Sequence, residues 1–371
     1  MPGEPMREDD RWMGKALDEA EVANGHTSPN PAVGAVVVRN GVCVGAGHHP
    51  MAGEPHGEVF ALREAGDASV GATLYTTLEP CSHTGRTPPC ADLIIERGVT
   101  RVVSAMEDPN PRVAGRGHQR LREAGVAVDI GVLEDRARHT HAAYIKWKST
   151  GLPFVTLKMA MSLDGKTATT AGESRWITSE PARIEGHRLR DRHDAILVGV
   201  ETVLADDPVL TTRLPSGGRD ADRLVLDTHA RTPGTAAVLA QRSDARTVII
   251  AAESAAEPRV AALEAAGATV WRLPADEHGI CLSAVLARCG AEGVLSVLVE
   301  GGSRVHGSFV RSHHCDRVVA FIAPKILGGS TATPAVGGSG FARLADCLRI
   351  ESWETHACGP DVVLDGLVAG P

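Results

Sequence analysis

Apolar positions Met13, Leu17 and Ala20 recur at helical spacing, and Gly25 ends the helix they predict. The turn-rich stretch 26–31 leads into GAVVVRNGVCVGAG at 34–47, where two apolar runs flank Asn40-Gly41. That pairing predicts a β-hairpin, because a tight turn between strands favours residues that accept positive φ. Beyond it the pattern predicts a helix over 57–65, a strand over 72–78, a helix over 91–97 closed by Gly98 and a strand over 99–104. A helix near 117–124 and a strand near 126–130 follow. Such alternation implies a mixed sheet covered by helices. Composition shifts at 148–153, which reads as a linker. A second α/β pattern then begins, with strands expected at 154–159, 195–200, 223–226, 247–251, 269–273, 295–300, 318–322 and 362–364. Ser179 with Pro181 marks the start of a helix running to about Arg192. The expected division is two domains, 1–148 and 152–371.

Composition narrows the partners. The 371 residues suffice for two or three domains. Lys plus Arg number 38 against 46 Asp plus Glu, a net charge of −8, and aromatics are 3%. Both count against a nucleic-acid partner, which would need a basic groove and stacking platforms. No apolar run approaches the ~18 residues of a membrane span. The first residues, MPGEPMREDDRW, are charged and lack the apolar stretch of a signal peptide. The 8 cysteines are scattered along the chain rather than grouped as a disulfide framework, so a reducing, cytoplasmic location is expected.

The sharpest chemistry lies at His56-Gly57-Glu58, followed by Pro80-Cys81 and Cys90. A hydrolytic zinc takes three protein ligands and leaves a fourth position for water, and one imidazole with two thiolates suits it. The metal draws the pKa of its water toward about 7. A carboxylate outside the ligand set must then move protons, and Glu58 stands two residues after His56 at a predicted helix start. This is the H-x-E…P-C…C signature of zinc deaminases, except that eight residues separate Cys81 from Cys90 where two are common. A purely structural zinc would want a fourth ligand; His83 is spaced poorly from Cys81 for that and would leave Glu58 unexplained. Adjacent residues converge poorly on one ion, so His313-His314-Cys315 is a weak second metal candidate.

In the second half, MSLDGKT ends like a P-loop but has Ala160 in place of the first glycine, and no GxGxxG follows a strand. Glu300-Gly301-Gly302 followed by a helix from Ser303 is more informative, since such a turn lets backbone N–H groups approach a phosphate.

Longer segments carry a resemblance. Glu54-Pro55-His56-Gly57-Glu58, the run Thr77-Leu78-Glu79-Pro80-Cys81-Ser82-His83-Thr84-Gly85-Arg86-Thr87-Pro88-Pro89-Cys90, Pro29-Asn30-Pro31 and Asp108-Pro109-Asn110-Pro111 are similar to the deaminase half of the bifunctional riboflavin-biosynthesis deaminase–reductases. Gly57 stands where that family more often has Ala. Lys158 through Lys166, Gly172 through Ser179, Thr202 through Pro208, Glu300-Gly301-Gly302 and Pro324 through Gly329 resemble its reductase half, in the same order.

The resemblance implies an α/β chain with a cytidine-deaminase-like α/β/α domain followed by a dihydrofolate-reductase-like α/β domain. It implies zinc-dependent deamination of a phosphoribosylamino-diaminopyrimidinone, then NADPH-dependent reduction of the ribosyl chain to ribityl. Glu58 would carry protons, and Asn30, His49, His83 and Arg86 would contact the first substrate. NADPH contacts are implied at Ala160, Trp176, Thr202, Asp206, Thr228, Gly302, Ser303, Arg304, Val305, His306, Gly307 and Ser308. Lys158, Ser174, Arg190, Leu210, Arg213 and Glu300 would contact the second substrate. Among these, Lys158 would act on the sugar hydroxyls, and Arg190 with Arg213 would clamp phosphate. A homo-oligomer built through the reductase domain is expected. Two other readings share the zinc motif. A nucleic-acid deaminase conflicts with the charge, and a non-catalytic nucleotide-binding regulator would not need Glu58 beside the metal.

Overall fold

The computed structural model describes residues 7–82, 88–111 and 113–369. The chain divides into two compact units, Met1–Gly151 and Leu152–Pro371.

The first unit runs α1 (Glu8–Val22), β1 (Gly34–Arg39), β2 (Val42–His48), α2 (Gly57–Ala65), β3 (Thr73–Thr76), α3 (Cys90–Glu96), β4 (Arg101–Ser104), α4 (Arg116–Glu123), β5 (Ala127–Ile130), α5 (Glu134–Thr140) and α6 (Ala142–Thr150). The predicted hairpin is present: Arg39 pairs with Val42, and Asn40 and Gly41 both have positive φ. The sheet order is β2-β1-β3-β4-β5, antiparallel through β3 and parallel after it. Helix α1 buries Trp12, Met13, Ala16, Leu17 and Ala20, the stripe its spacing foretold. Val37, Leu62, Leu74, Ile94, Val102 and Leu121 fill the core. The segment expected to be a linker departs from expectation. Helix α6 continues through Lys148, Ser149 and Thr150, whose two hydroxyls bond back to carbonyls of Ile145 and Lys146, and it stops at Gly151. Ser and Thr are poor helix formers in isolation, but their back-bonding satisfies them inside this one.

The second unit runs β6 (Phe154–Ser162), α7 (Glu180–Asp191), β7 (Ala195–Gly199), α8 (Val200–Asp206), β8 (Asp222–Leu226), β9 (Thr247–Ala252), α9 (Glu257–Ala265), β10 (Thr269–Leu273), β11 (Ala275–Asp276), β12 (Gly279–Ile280), α10 (Leu282–Ala291), β13 (Ser296–Gly301), α11 (Ser303–Arg311), β14 (Arg317–Ala323), β15 (Ile350–Cys358) and β16 (Asp361–Val368). The nine-stranded order is β10-β9-β8-β7-β13-β6-β14-β16-β15. It is parallel from β10 to β14, with an antiparallel β16–β15 edge. Strands β7 and β9 are buried at every position, which suits a parallel sheet covered on both faces. The pattern of the sequence missed β15, because its first eight residues are exposed and show no apolar alternation. In the sheet β13 lies between β7 and β6, so Glu300, near the carboxyl end of β13, comes beside Lys158, midway along β6, despite their distance in sequence. Ligands of open α/β sheets bind outside such carboxyl ends.

Candidate active sites

In the first unit, His56 caps α2, Glu58 sits in its first turn, Cys81 follows β3 and Cys90 opens α3. His56 Nδ1 lies 3.6 Å from Cys81 Sγ and 3.3 Å from Cys90 Sγ. The Cys90 amide N–H also points at Cys81 Sγ, at 3.3 Å. The three ligand atoms all fall within 4.8 Å of one another. Hydrogen bonds from Cys90 and then His56 draw the Cys81 thiol down to about 4, against the opposing effect of burial. Glu58 is 2% exposed and its Oε2 has no hydrogen-bond partner. Burial lifts this carboxyl above the usual range. One imidazole, two sulfurs and a partnerless carboxylate oxygen beside them fit a zinc with an open position. Gly57 has a local reason: a Cβ there would stand 2.6 Å from the Val33 carbonyl oxygen.

His56, Glu58 and Cys81 border a cleft of about 210 Å³ that Asn30 and His49 also line. His49 Nδ1 lies 3.0 Å from the Pro55 carbonyl oxygen, which can only accept. Nδ1 therefore carries the proton, and Nε2 accepts from the Asn30 amide at 3.1 Å. His83 and Arg86 lie outside the described residues. Sequence reasoning missed Asp108, Asn110, Tyr144 and Lys148 as lining residues. The DPNP motif held a signal for the first two. Lys148 was hidden by its assignment to a linker. Its ammonium lies 4.3 Å from the Trp147 ring centroid.

In the second unit, a cleft of about 460 Å³ is lined by Lys158, Ala160, Ser174, Trp176, Arg190, Thr202, Asp206, Leu210, Arg213 and Glu300. Residues expected to meet the cofactor and residues expected to meet the substrate thus share one cavity. Arg190 meets Glu300 with both Nε and Nη2 at 2.7 Å, and its Nη1 donates to the Thr211 carbonyl. Burial by itself would raise the Glu300 carboxyl, yet the charges of Arg190 and then Lys158 hold it at about 2. Burial depresses the Lys158 ammonium, with Glu300 opposing. Arg175 donates to the Asp206 carbonyl, and Lys325 donates to the carbonyls of Trp176 and Ile177, so the Trp176 segment is tied down on both sides.

The glycine turn is shaped as expected, with φ of 106° at Gly301 and 66° at Gly302. A Cβ on Gly302 would lie 3.2 Å from Thr202 Oγ1, which places the turn beside the cleft. The following residues face different ways. His306 is buried with its ring nitrogens on the carbonyls of Ala335 and Val299. Gly307 packs so tightly that a Cβ would stand 2.0 Å from the Gly337 carbonyl oxygen. Val305 packs toward Gly199, while Arg304 is exposed and Ser303 and Ser308 are half-buried. Thr228, just past β8, does not line this cleft. The His313-His314-Cys315 run diverges: His313 packs on Phe341, His314 bonds Ser283 and Cys315 is buried against the Arg317 carbonyl.

Known proteins agree with this geometry. The cytidine and deoxycytidylate deaminase zinc-binding region matches residues 6–106, and the RibD C-terminal domain matches residues 153–364. The riboflavin biosynthesis protein RibD of Bacillus amyloliquefaciens is 44% identical, over 96% of this chain and 95% of that protein. Its namesake in Escherichia coli K12 is 40% identical, over 96% and 98%. Acinetobacter baumannii RibD superposes with a TM-score of 0.87 at 35% identity, covering 99% of this chain and all of that one. A diaminohydroxyphosphoribosylaminopyrimidine deaminase/5-amino-6-(5-phosphoribosylamino)uracil reductase from Thermotoga maritima gives 0.83 at 34% identity, covering 98% and 99%. The expected fold class holds: a cytidine-deaminase-like unit precedes a dihydrofolate-reductase-like one. A zinc-binding deaminase half and a reductase half, matched over nearly the whole length, make this chain a member of the RibD family of bifunctional riboflavin-biosynthesis deaminase–reductases.

Proposed function

We propose that the first unit hydrolyses the 2-amino group of 2,5-diamino-6-(5-phosphoribosylamino)pyrimidin-4(3H)-one, and that the second reduces 5-amino-6-(5-phosphoribosylamino)uracil to its ribitylamino form with NADPH. The observation that carries the reading is the Glu58 carboxylate, its Oε2 without a hydrogen-bond partner, beside the converging His56, Cys81 and Cys90. Zinc held by those three residues supplies Lewis acidity to water. Glu58 Oε2 takes the proton from the attacking water and returns it to the departing ammonia. Asn30, its amide oriented by His49, pairs with the ring edge. Lys148 adds a cation to that cleft for the substrate phosphate, alongside the roles proposed for His83 and Arg86.

In the second unit NADPH supplies the hydride, and the Gly301-Gly302 turn beside Thr202 offers room for its phosphates. Lys158 and Glu300 face the sugar, with Lys158 as the nearby proton source. Arg190 orients Glu300, because its guanidinium is already engaged there, and the phosphate falls to Arg213. The open β15 edge, with Trp353 60% exposed, supports a homo-oligomer paired through this unit, which light scattering would test. None of the eight cysteines is in a disulfide, which suits the reducing cytoplasm.

The experiment is ammonia release from the diaminopyrimidine phosphate, with and without NADPH, alongside metal analysis. One zinc per chain, release without NADPH and NADPH oxidation only after deamination are expected. Zinc-free protein with full release would overturn the reading.

A further inference from the structure

The motif residue Glu79 has no part in the chemistry derived above, yet it borders the deaminase cleft, is 3% exposed and sits two residues before Cys81. Its carboxylate accepts four backbone N–H groups from one distant segment. Oε2 takes those of Asp108 (3.2 Å) and Gly115 (2.9 Å), and Oε1 takes those of Gly117 (2.7 Å) and His118 (3.3 Å). The same segment touches the turn of Cys81 directly. A Cβ on Gly117 would lie 1.9 Å from the Pro80 carbonyl oxygen, so the two backbones are in contact there. The ring of His118, also buried, lies with Nδ1 3.9 Å from Glu79 Oε2 and Nε2 3.0 Å from Ser104 Oγ. Burial disfavours protonation of that ring, which stands farther from the carboxylate than the four N–H donors do.

The held segment carries groups into the deaminase cleft. Asp108, Asn110 and Val113 line it. Asp108 Oδ1 accepts the Asn110 amide at 2.8 Å and the Tyr144 hydroxyl at 3.3 Å. The chain from Glu79 to these residues is therefore one continuous set of short contacts, and its other end is the residue pair Pro80-Cys81.

We propose that Glu79 is a positioning residue for deamination: its carboxylate fixes the 108–118 segment against the Pro80-Cys81 turn, and so sets the gap between the metal-ligand cysteine and the cleft wall that holds the pyrimidine. This rests on the deaminase reading of the same site. Two acceptor oxygens and reach are both needed. A Gln side chain would offer one acceptor oxygen and turn an NH2 group toward N–H donors.

The test is Glu79→Gln in the full-length chain, read by zinc content, by kcat and KM for ammonia release, and by NADPH oxidation with the aminouracil phosphate. A misplaced hydrogen bond from the cleft wall to the pyrimidine weakens binding by about 10- to 100-fold. The expected result is one zinc per chain, an unaltered reductase KM, and a deaminase KM raised by about 10- to 100-fold with a smaller change in kcat. An anchor with only a structural role would lower the yield of folded protein and leave the KM of the zinc-loaded fraction at the wild-type value. That outcome, or a fall in kcat at unchanged KM, overturns the proposal. If the Gln variant is insoluble, Glu79→Asp keeps both oxygens and withdraws them by one methylene; an intermediate rise in KM is expected, and a wild-type KM overturns the proposal. Absence of ammonia release from the zinc-loaded wild type would overturn the deaminase reading itself, which separates the two failures.

Discussion

Replacing Arg190 by Leu would leave Glu300 without the guanidinium that meets it at two points. The side chains are 14% and 8% exposed, so water cannot substitute for the lost partner. The structure gives the size of the effect. Glu300 is held at about 2 against an ordinary 4.5. Each tenfold in proton affinity corresponds to about 1.4 kcal/mol, so the folded surroundings favour the charged form by about 3 kcal/mol. That sits at the low end of the about 3–5 kcal/mol typical of breaking a buried pair. The figure is net of burial and already includes Lys158, whose charge still attracts Glu300 after Arg190 is gone. A unit of this size loses about 2–4 °C in Tm per kcal/mol, so its unfolding transition should fall by about 6–12 °C at pH 7. The carboxyl is depressed in the folded state, so its contribution is complete above about 4.5 and is lost as pH falls through about 2. The gap between wild type and variant should therefore narrow across that window. Differential scanning calorimetry at several pH values measures it. A loss below about 1 kcal/mol at pH 7, or a gap that does not change with acid, would refute the argument, because the pair would then behave like a solvent-screened one.

Glu58→Gln should keep zinc and reductase turnover while ammonia release falls by about 10²–10⁴-fold, since Gln cannot accept and return a proton; near-normal release would assign the base elsewhere. Gly302→Val should weaken NADPH binding in a fluorescence titration without touching deamination, because a Cβ there meets Thr202 Oγ1 at 3.2 Å and φ is 66°; unchanged affinity would remove this turn from the cofactor site. Arg213→Lys should raise the reductase KM for the phosphorylated substrate by about tenfold, as an ammonium cannot reproduce the planar donor fork of a guanidinium; a KM that does not move would place the phosphate away from Arg213.

The metal centre was legible in the residues because its chemistry is local in kind. Imidazole, thiolates and an unligated carboxylate at fixed spacing have few other uses, and each stands at a helix start or tight turn that local pattern already marks. The hairpin at Asn40-Gly41 and the apolar stripe of α1 were legible for the same reason, since turn chemistry and helical period act over a few residues. The sequence motifs likewise selected most of the residues lining the second cleft. What needed the tertiary structure was the state in which those residues are held. Arg190, Glu300 and Lys158 belong to three elements, and only the order of the parallel strands sets a guanidinium expected to be free for phosphate against a buried carboxylate. His306 and Gly307 follow a phosphate-type turn in sequence, but helix packing directs one to backbone carbonyls and the other against Gly337. Lys148 became a lining residue because α6 continued where hydroxyl-rich composition suggested a linker. Strand β15 lay beyond the reach of periodicity, since an exposed edge has no core to impose alternation. Glu79 shows the same division. Its place before Pro80-Cys81 is plain in the sequence, but its four N–H donors arrive from residues about thirty to forty positions away, and only the folded chain brings them there.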